Sequence, residues 1–251
     1  HNYGNVTAMT YASGICGGSQ SGKSVTTYNY LIENCTNSGN LSTTNGVGSA
    51  GIAGSYSGAV KNCTNSGNAD DTKGTAKSRL YTAGIVSCAS FAVDIDGCTN
   101  SGSINGVKNV GGILGNAMKG DNAATTIKNC INNGSVSGQD FYVAGIVGNS
   151  LRANGLVSVV KCTNNGEVTS TGTTEFIGNL RGNTTIALGD GNVIGAGLKT
   201  LPLDPNPTGI NNVNVNANTN RTANGVFLRN GKIVIVKNNK KYTISGIEIA
   251  E

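Results

Sequence analysis

Cys98-Thr99-Asn100-Ser101-Gly102 is a phrase that this chain repeats. It also stands as Cys35-Thr36-Asn37-Ser38-Gly39 and Cys63-Thr64-Asn65-Ser66-Gly67. It returns altered as Cys130-Ile131-Asn132-Asn133-Gly134 and Cys162-Thr163-Asn164-Asn165-Gly166. The closing glycines follow one another at intervals of 28, 35, 32 and 32 residues. A second element alternates with the first: Gly14-Ile15, Gly51-Ile52-Ala53-Gly54, Gly84-Ile85-Val86, Gly112-Ile113-Leu114-Gly115 and Gly145-Ile146-Val147-Gly148. Two motifs alternating at a fixed period are the signature of a stacked repeat array.

The runs between the motifs are short and β-like, as in Tyr142 to Val147 and Leu156 to Val160. None carries a 3.6-residue apolar period over ten or more residues, so helices are not expected. The pattern predicts an all-β fold, a parallel β-helix or β-solenoid of about six coils, with coils stacked roughly 4.8 Å apart. In such a stack the repeated glycines fit left-handed turns or close backbone approaches. The asparagine two residues before each glycine (Asn2, Asn37, Asn65, Asn100, Asn132, Asn164) fits an amide ladder.

Composition agrees. The 251 residues include 38 Gly and 36 Asn, which are poor helix formers, and only 12% are charged. Low charge with plentiful Val, Ile and Leu argues against disorder. No run of 18 apolar residues suggests a membrane-spanning helix. The only histidine is His1, which removes most Ser-His-Asp, Cys-His and His-metal chemistry. No nucleotide-binding loop appears in a strand-loop-helix context. No cofactor is implied.

The five repeat cysteines lack any C-x-x-C spacing, so they do not read as a zinc site. Parallel stacking points their side chains alongside one another, a poor approach for a disulfide. They read as a buried column of small apolar groups, with Cys16 and Cys88 as further core residues. Seven is odd, so complete internal pairing is excluded.

The ends of the array depart from the pattern. Asn2-Tyr3-Gly4-Asn5-Val6-Thr7 matches Asn164 to Thr169, so the chain opens in mid-repeat, as a fragment or mature form of a longer precursor would. Near the other end, Glu175-Phe176-Ile177-Gly178 and Gly189-Asp190-Gly191-Asn192-Val193 read as a degenerate last repeat, with Ala187 in the cysteine's place.

The alternation of G-I-A-G, G-I-V-G and G-I-L-G with N-C-T-N-S-G resembles the GLUG-motif repeats of bacterial surface and secreted proteins. The resemblance covers residues 1–195. It implies a β-helical, extracellular, adhesin-like or stalk module with no defined catalytic residue.

Insertions mark the variable surface. The longest between the turn glycine and Gly-Ile is Lys73 to Arg79. Those after Gly-Ile include Gly17 to Tyr30, Asn116 to Ala124 and Asn149 to Gly155. Insertions at one place in a repeat emerge from one corner and often form a binding face. Its candidate contact groups are Gln20, Lys23, Tyr28, Tyr30, Lys119, Asp121, Arg152 and Asn154. Tyr11, Tyr81 and Tyr142 each sit three residues before the Gly of Gly-Ile. Exposed, they would form an aromatic column for sugar rings; packed, they would cover a corner. A polysaccharide-active enzyme would need clustered carboxylates. Asp94 and Asp96 are the best pair, because i and i+2 on a strand share a face. Asp70-Asp71 reads as a loop pair.

Residues 1–200 form the repeat domain and 201–223 a linker that holds all three prolines. Residues 224–251 then read as a small antiparallel sheet, with Asn230-Gly231 and Asn238-Asn239 as hairpin turns. Such a sheet is too small to stand alone and is expected to cap the solenoid. Its wording is similar to the C-terminal tails of secreted proteins of Bacteroidetes, which can serve as export signals. Residues 221–251 hold six Lys and Arg against two Glu, so most of the net charge of +5 is local to this tail. Lysines on edge strands block edge-to-edge pairing. Nucleic-acid binding would need a basic stripe along the fold. The sequence therefore points to a secreted or cell-surface module, on the exterior of a bacterial outer membrane, meeting glycan or host protein.

Overall fold

The computed structural model describes residues 1–18, 30–73, 80–118, 123–153, 156–172, 177–183 and 186–194. In the C-terminal segment it describes 213–214, 225–229, 232–237, 240–242 and 248–249. The described residues contain strands and no helix. They divide into two compact units, His1–Pro202 and Leu203–Glu251.

The first unit is a β-solenoid of about five turns. Each turn visits four parallel sheets. The first holds the Thr-Asn steps Thr36–Asn37, Thr64–Asn65, Thr99–Asn100, Ile131–Asn132 and Thr163–Asn164, ending on Val193–Ile194. The second runs from Val6–Thr10 through Leu41–Val47, Ala69–Asp70, Ile104–Gly106 and Val136–Gly138 to Val168–Ser170. The third is made of short steps such as Thr82–Ala83 and Val143–Ala144. The fourth includes the long strands Ala53–Lys61 and Val86–Asp96. Equivalent motif residues pair without slippage: Asn65 with Asn100, Asn100 with Asn132, Asn132 with Asn164.

One feature recurs at the corner that leads into each Cys-Thr-Asn step. Asn34, Asn62, Asn129 and Lys161 have φ of 55°, 51°, 53° and 51°, and Gly97 and Gly191 take the same place at 64° and 73°. Asparagine tolerates the left-handed region and glycine occupies it freely, so the residue before each cysteine is a turn residue.

Two apolar clusters fill the interior. The larger includes Ile52, Ile85, Ile113 and Ile146 of the Gly-Ile steps, together with Cys63, Cys98, Cys130 and Cys162, all fully buried. The smaller stacks Leu41, Ala69, Ile104 and Val136 with Val110 and Val143. The cysteine column is therefore real, and all seven thiols are free. Hydrogen bonding to Cys98 and burial raise the Cys63 thiol above its usual range, and burial does so for Cys130. Cys88 is buried, and Cys16 packs half-buried against the larger cluster.

The asparagine ladder runs the length of the unit. Nδ2 of Asn2 donates to Oδ1 of Asn37, Asn37 to Asn65, Asn65 to Asn100, Asn100 to Asn132 and Asn132 to Asn164, over 2.6 to 2.8 Å. The second hydrogen of each amide goes to a glycine carbonyl two residues on, as from Asn100 to Gly102 at 2.9 Å and from Asn132 to Gly134 at 2.8 Å. The N-x-G spacing follows from this double use. Aspartate lacks the donors, and a fully satisfied buried network rigidifies the core.

The register corrects one reading of the last repeat. Ala187 pairs with Ser158, while Val193 pairs with Thr163. Asn192, not Ala187, stands at the cysteine's place, and its Oδ1 accepts from the Cys162 amide. The left-handed Gly191 just before it sets that register.

The second unit contains Gly225–Arg229, Lys232–Lys237, Lys240–Tyr242 and Glu248–Ile249 in antiparallel order, with Val213–Asn214 parallel to the first of these.

Candidate functional site

Insertions in the fourth sheet emerge at one place. Ala53–Lys61 runs through it unbroken, and Val86–Asp96 bulges there, between Ala89 and Val93. In the neighbouring coils the strand is split, into Leu114–Ala117 and Thr125–Lys128, and into Val147–Ser150 and Val157–Val160. The strand ends that flank these breaks stand in register over one another in successive coils.

Arg152 holds that corner together, and this revises its expected role as a contact group. It is only 4% exposed. Its guanidinium donates to Met118 O at 3.1 Å and Ala89 O at 3.2 Å, and also to Ala123 O and Phe91 O. One side chain thus binds backbone carbonyls of two preceding coils. A buried planar cation with five donors can serve several carbonyls at once, and Ala89 O also accepts from the Met118 amide at 3.0 Å. Leu151, next to Arg152, is 53% exposed, and Tyr30, at the start of the corresponding strand Leu31–Glu33 of the first coil, is 47% exposed. Tyr28, Lys119, Gln20, Lys23, Asp121 and Asn154 lie outside the described residues.

The three tyrosines share an offset but not an exposed platform. Tyr81 is buried at 5% exposure. Tyr11 and Tyr142 are half-buried with φ of 53° and 61°. A Cβ at Gly48, in the coil after Tyr11, would lie 2.9 Å from Cδ1 of the Tyr11 ring, so that ring fills the glycine's space. Tyr142 meets Phe141 edge-on, with centroids 4.7 Å apart. The corner-covering alternative is the one the coordinates fit.

Asp94 and Asp96 do share a face, and the structure adds Lys128 to them. Its Nζ lies 3.2 Å from Asp94 and 3.6 Å from Asp96. The sequence offered no sign of this, because Lys128 is on the next coil. Register explains it: Glu33, Lys61, Asp96 and Lys128 occupy one column of the fourth sheet, with alternating charge. Asn129 also donates to Asp96, at 2.7 Å. Desolvation pulls the Lys128 pKa down, but the hydrogen bonds and charges of Asp94 and Asp96 outweigh it and leave it raised. An ammonium held in its charged form is a poor base and a poor nucleophile. What the group does in place is neutralise charge between stacked coils.

A carboxylate that the sequence presented as part of a loop pair proves structural. Asp71 is 1% exposed. It accepts from the Thr43 amide and hydroxyl at 2.8 and 2.9 Å, and from the Ser49 amide and hydroxyl at 3.0 and 2.6 Å. The Thr82 hydroxyl adds a fifth bond at 3.0 Å. A residue that occurs once in the array leaves no repeat signal to mark it as structural.

The chain matches no family model, no curated protein and no solved structure. No helix among the described residues is long and apolar enough to cross a membrane.

Proposed function

We propose that this chain is a non-enzymatic, exported surface module of a bacterium, adhesin-like or a stalk, which meets glycan or host protein through the loops of one corner. The observation that carries the reading is the Arg152 clamp. It ties the backbone at Ala89–Phe91 and at Met118 and Ala123 to its own coil, which fixes the base from which a contact surface would rise, and preorganisation lowers the ordering cost of binding. The ladder beneath makes the rest of the unit a rigid support. Export and a surface location rest on the resemblance of the motifs to GLUG repeats and of the tail to those of Bacteroidetes secreted proteins.

The test is binding of the whole chain to arrayed glycans and immobilised extracellular-matrix proteins. Replacing both Tyr30 and Leu151 by Ala should weaken binding by about tenfold or more, since exposed aromatic and large apolar groups dominate such contacts. Tyr81→Ala should lower thermal stability instead. No binding to any surface would sink the adhesive reading and leave a spacer. Lys128 beside two carboxylates favours a second reading, a polysaccharide lyase or hydrolase or a carbohydrate-binding module. Shortening of the arrayed polysaccharides that Asp94→Asn abolishes would establish the enzymatic form of it.

A further inference from the structure

The two repeated motifs are coupled in space, and the last coil breaks the coupling on both sides. In five coils the first glycine of the Gly-Ile step lies against a ladder amide. A Cβ on Gly14, Gly51, Gly84, Gly112 or Gly145 would come within 2.1 to 2.4 Å of the amide of Asn37, Asn65, Asn100, Asn132 or Asn164 respectively. Real Cβ atoms do not approach so closely, so each ladder rung requires a glycine across from it.

In the last coil the pairing of Ile177–Gly178 with Val143–Ala144 puts Asn179 where that glycine stands. The pairing of Val193–Ile194 with Thr163–Asn164 puts Ile194 where the next ladder asparagine stands. The Asn179 side chain takes over the rung. Its Oδ1 accepts from Nδ2 of Asn164 at 2.6 Å, and it is 2% exposed. Its own Nδ2 has no partner among the described residues, so the chain of amide bonds stops there.

We propose that Asn179 is a built-in terminator of the ladder. A glycine in the Gly-Ile step admits one more rung. An asparagine in the same place supplies the final acceptor and fills the space that a further rung would need. The amide column then ends by a paired exchange, Asn179 for the glycine and Ile194 for the asparagine, beside an apolar core that needs neither.

The experiment compares Asn179→Gly, Ile194→Asn and the double variant in the full chain, by thermal unfolding and by exchange of the Asn164 side-chain amide in NMR. Asn179→Gly strips Asn164 of its acceptor, and Ile194→Asn sets an amide against that of Asn179. Each single change should lower Tm by about 3–8 °C. The double variant recreates the Gly145 and Asn164 arrangement one coil later. It should recover at least half of the summed loss and keep the Asn164 amide slow to exchange. Losses that simply add in the double variant, or an Asn164 amide that exchanges there at the rate of a solvated one, would overturn the proposal. Should Asn179→Gly fail to fold, the double variant decides alone: a folded protein supports the terminator, and an unfolded one overturns it.

Discussion

Gly112→Ala should destabilise the solenoid by about 3 kcal/mol or more, a large share of a typical domain's stability. The added methyl would lie 2.1 Å from the Gly145 carbonyl oxygen and 2.4 Å from Cγ of Asn132. Neither neighbour can give way cheaply. The carbonyl belongs to the next coil's backbone, and the amide is hydrogen-bonded to Asn100, Gly134 and Asn164. The effect is therefore overpacking followed by loss of buried hydrogen bonds. Gly17→Ala is the control, since its Cβ would meet nothing closer than the Tyr11 carbonyl oxygen at 3.5 Å. Urea unfolding of the two variants should separate them clearly. Equal, small losses would contradict the coupling of the two motifs.

Asp71→Ala should cost about 3–5 kcal/mol, because it leaves two buried amides and three buried hydroxyls without their shared acceptor. The carboxylate joins the strand Leu41–Val47 to the steps Ser49–Ala50 and Thr82–Ala83, which lie in neighbouring coils and in two sheets. Asp71→Asn should lose roughly half as much, since one oxygen remains to accept while the amide nitrogen faces further donors. Differential scanning calorimetry of the three proteins checks the order. A loss under about 1 kcal/mol for the alanine variant would mean that the bonds are replaced by water.

What the sequence disclosed and what it hid divide along a physical line. Residues used once per coil were legible. Asn37, Asn65, Asn100, Asn132 and Asn164 recur at one offset, and the ladder they form was expected from that recurrence alone. The cysteine column was legible for the same reason. Couplings between positions 14 to 23 residues apart were not, although they recur, because neither Gly112 nor Asn132 announces the other. Residues used once were hidden altogether. In the sequence Asp71 stands in a loop pair and Arg152 among the candidate contact groups, and only tertiary hydrogen bonding makes them buried anchors. Ala187 was misplaced because its size suits the cysteine's position, whereas backbone register, set at Gly191, gives that place to Asn192. The tyrosines show the limit of a shared offset. Tyr11, Tyr81 and Tyr142 are equivalent in spacing, yet Tyr81 is buried while Tyr11 lies half-buried over Gly48 and Tyr142 half-buried against Phe141.

Those distinctions bear on the functional reading. The most regular parts of the chain hold coils together, and Arg152 clamps the breaks of the fourth sheet in three successive coils. A surface built this way can vary its loops without disturbing the stack, which suits a binding module on a rigid support.

The most direct test of the account is hydrogen exchange of the asparagine side-chain amides, read by NMR at neutral pH. The side-chain amides of Asn65, Asn100 and Asn132 should exchange far more slowly than those of exposed asparagines such as Asn133 and Asn165, and they should lose protection together as denaturant is raised. Exchange of the three at the rate of solvated amides would contradict a continuous buried ladder.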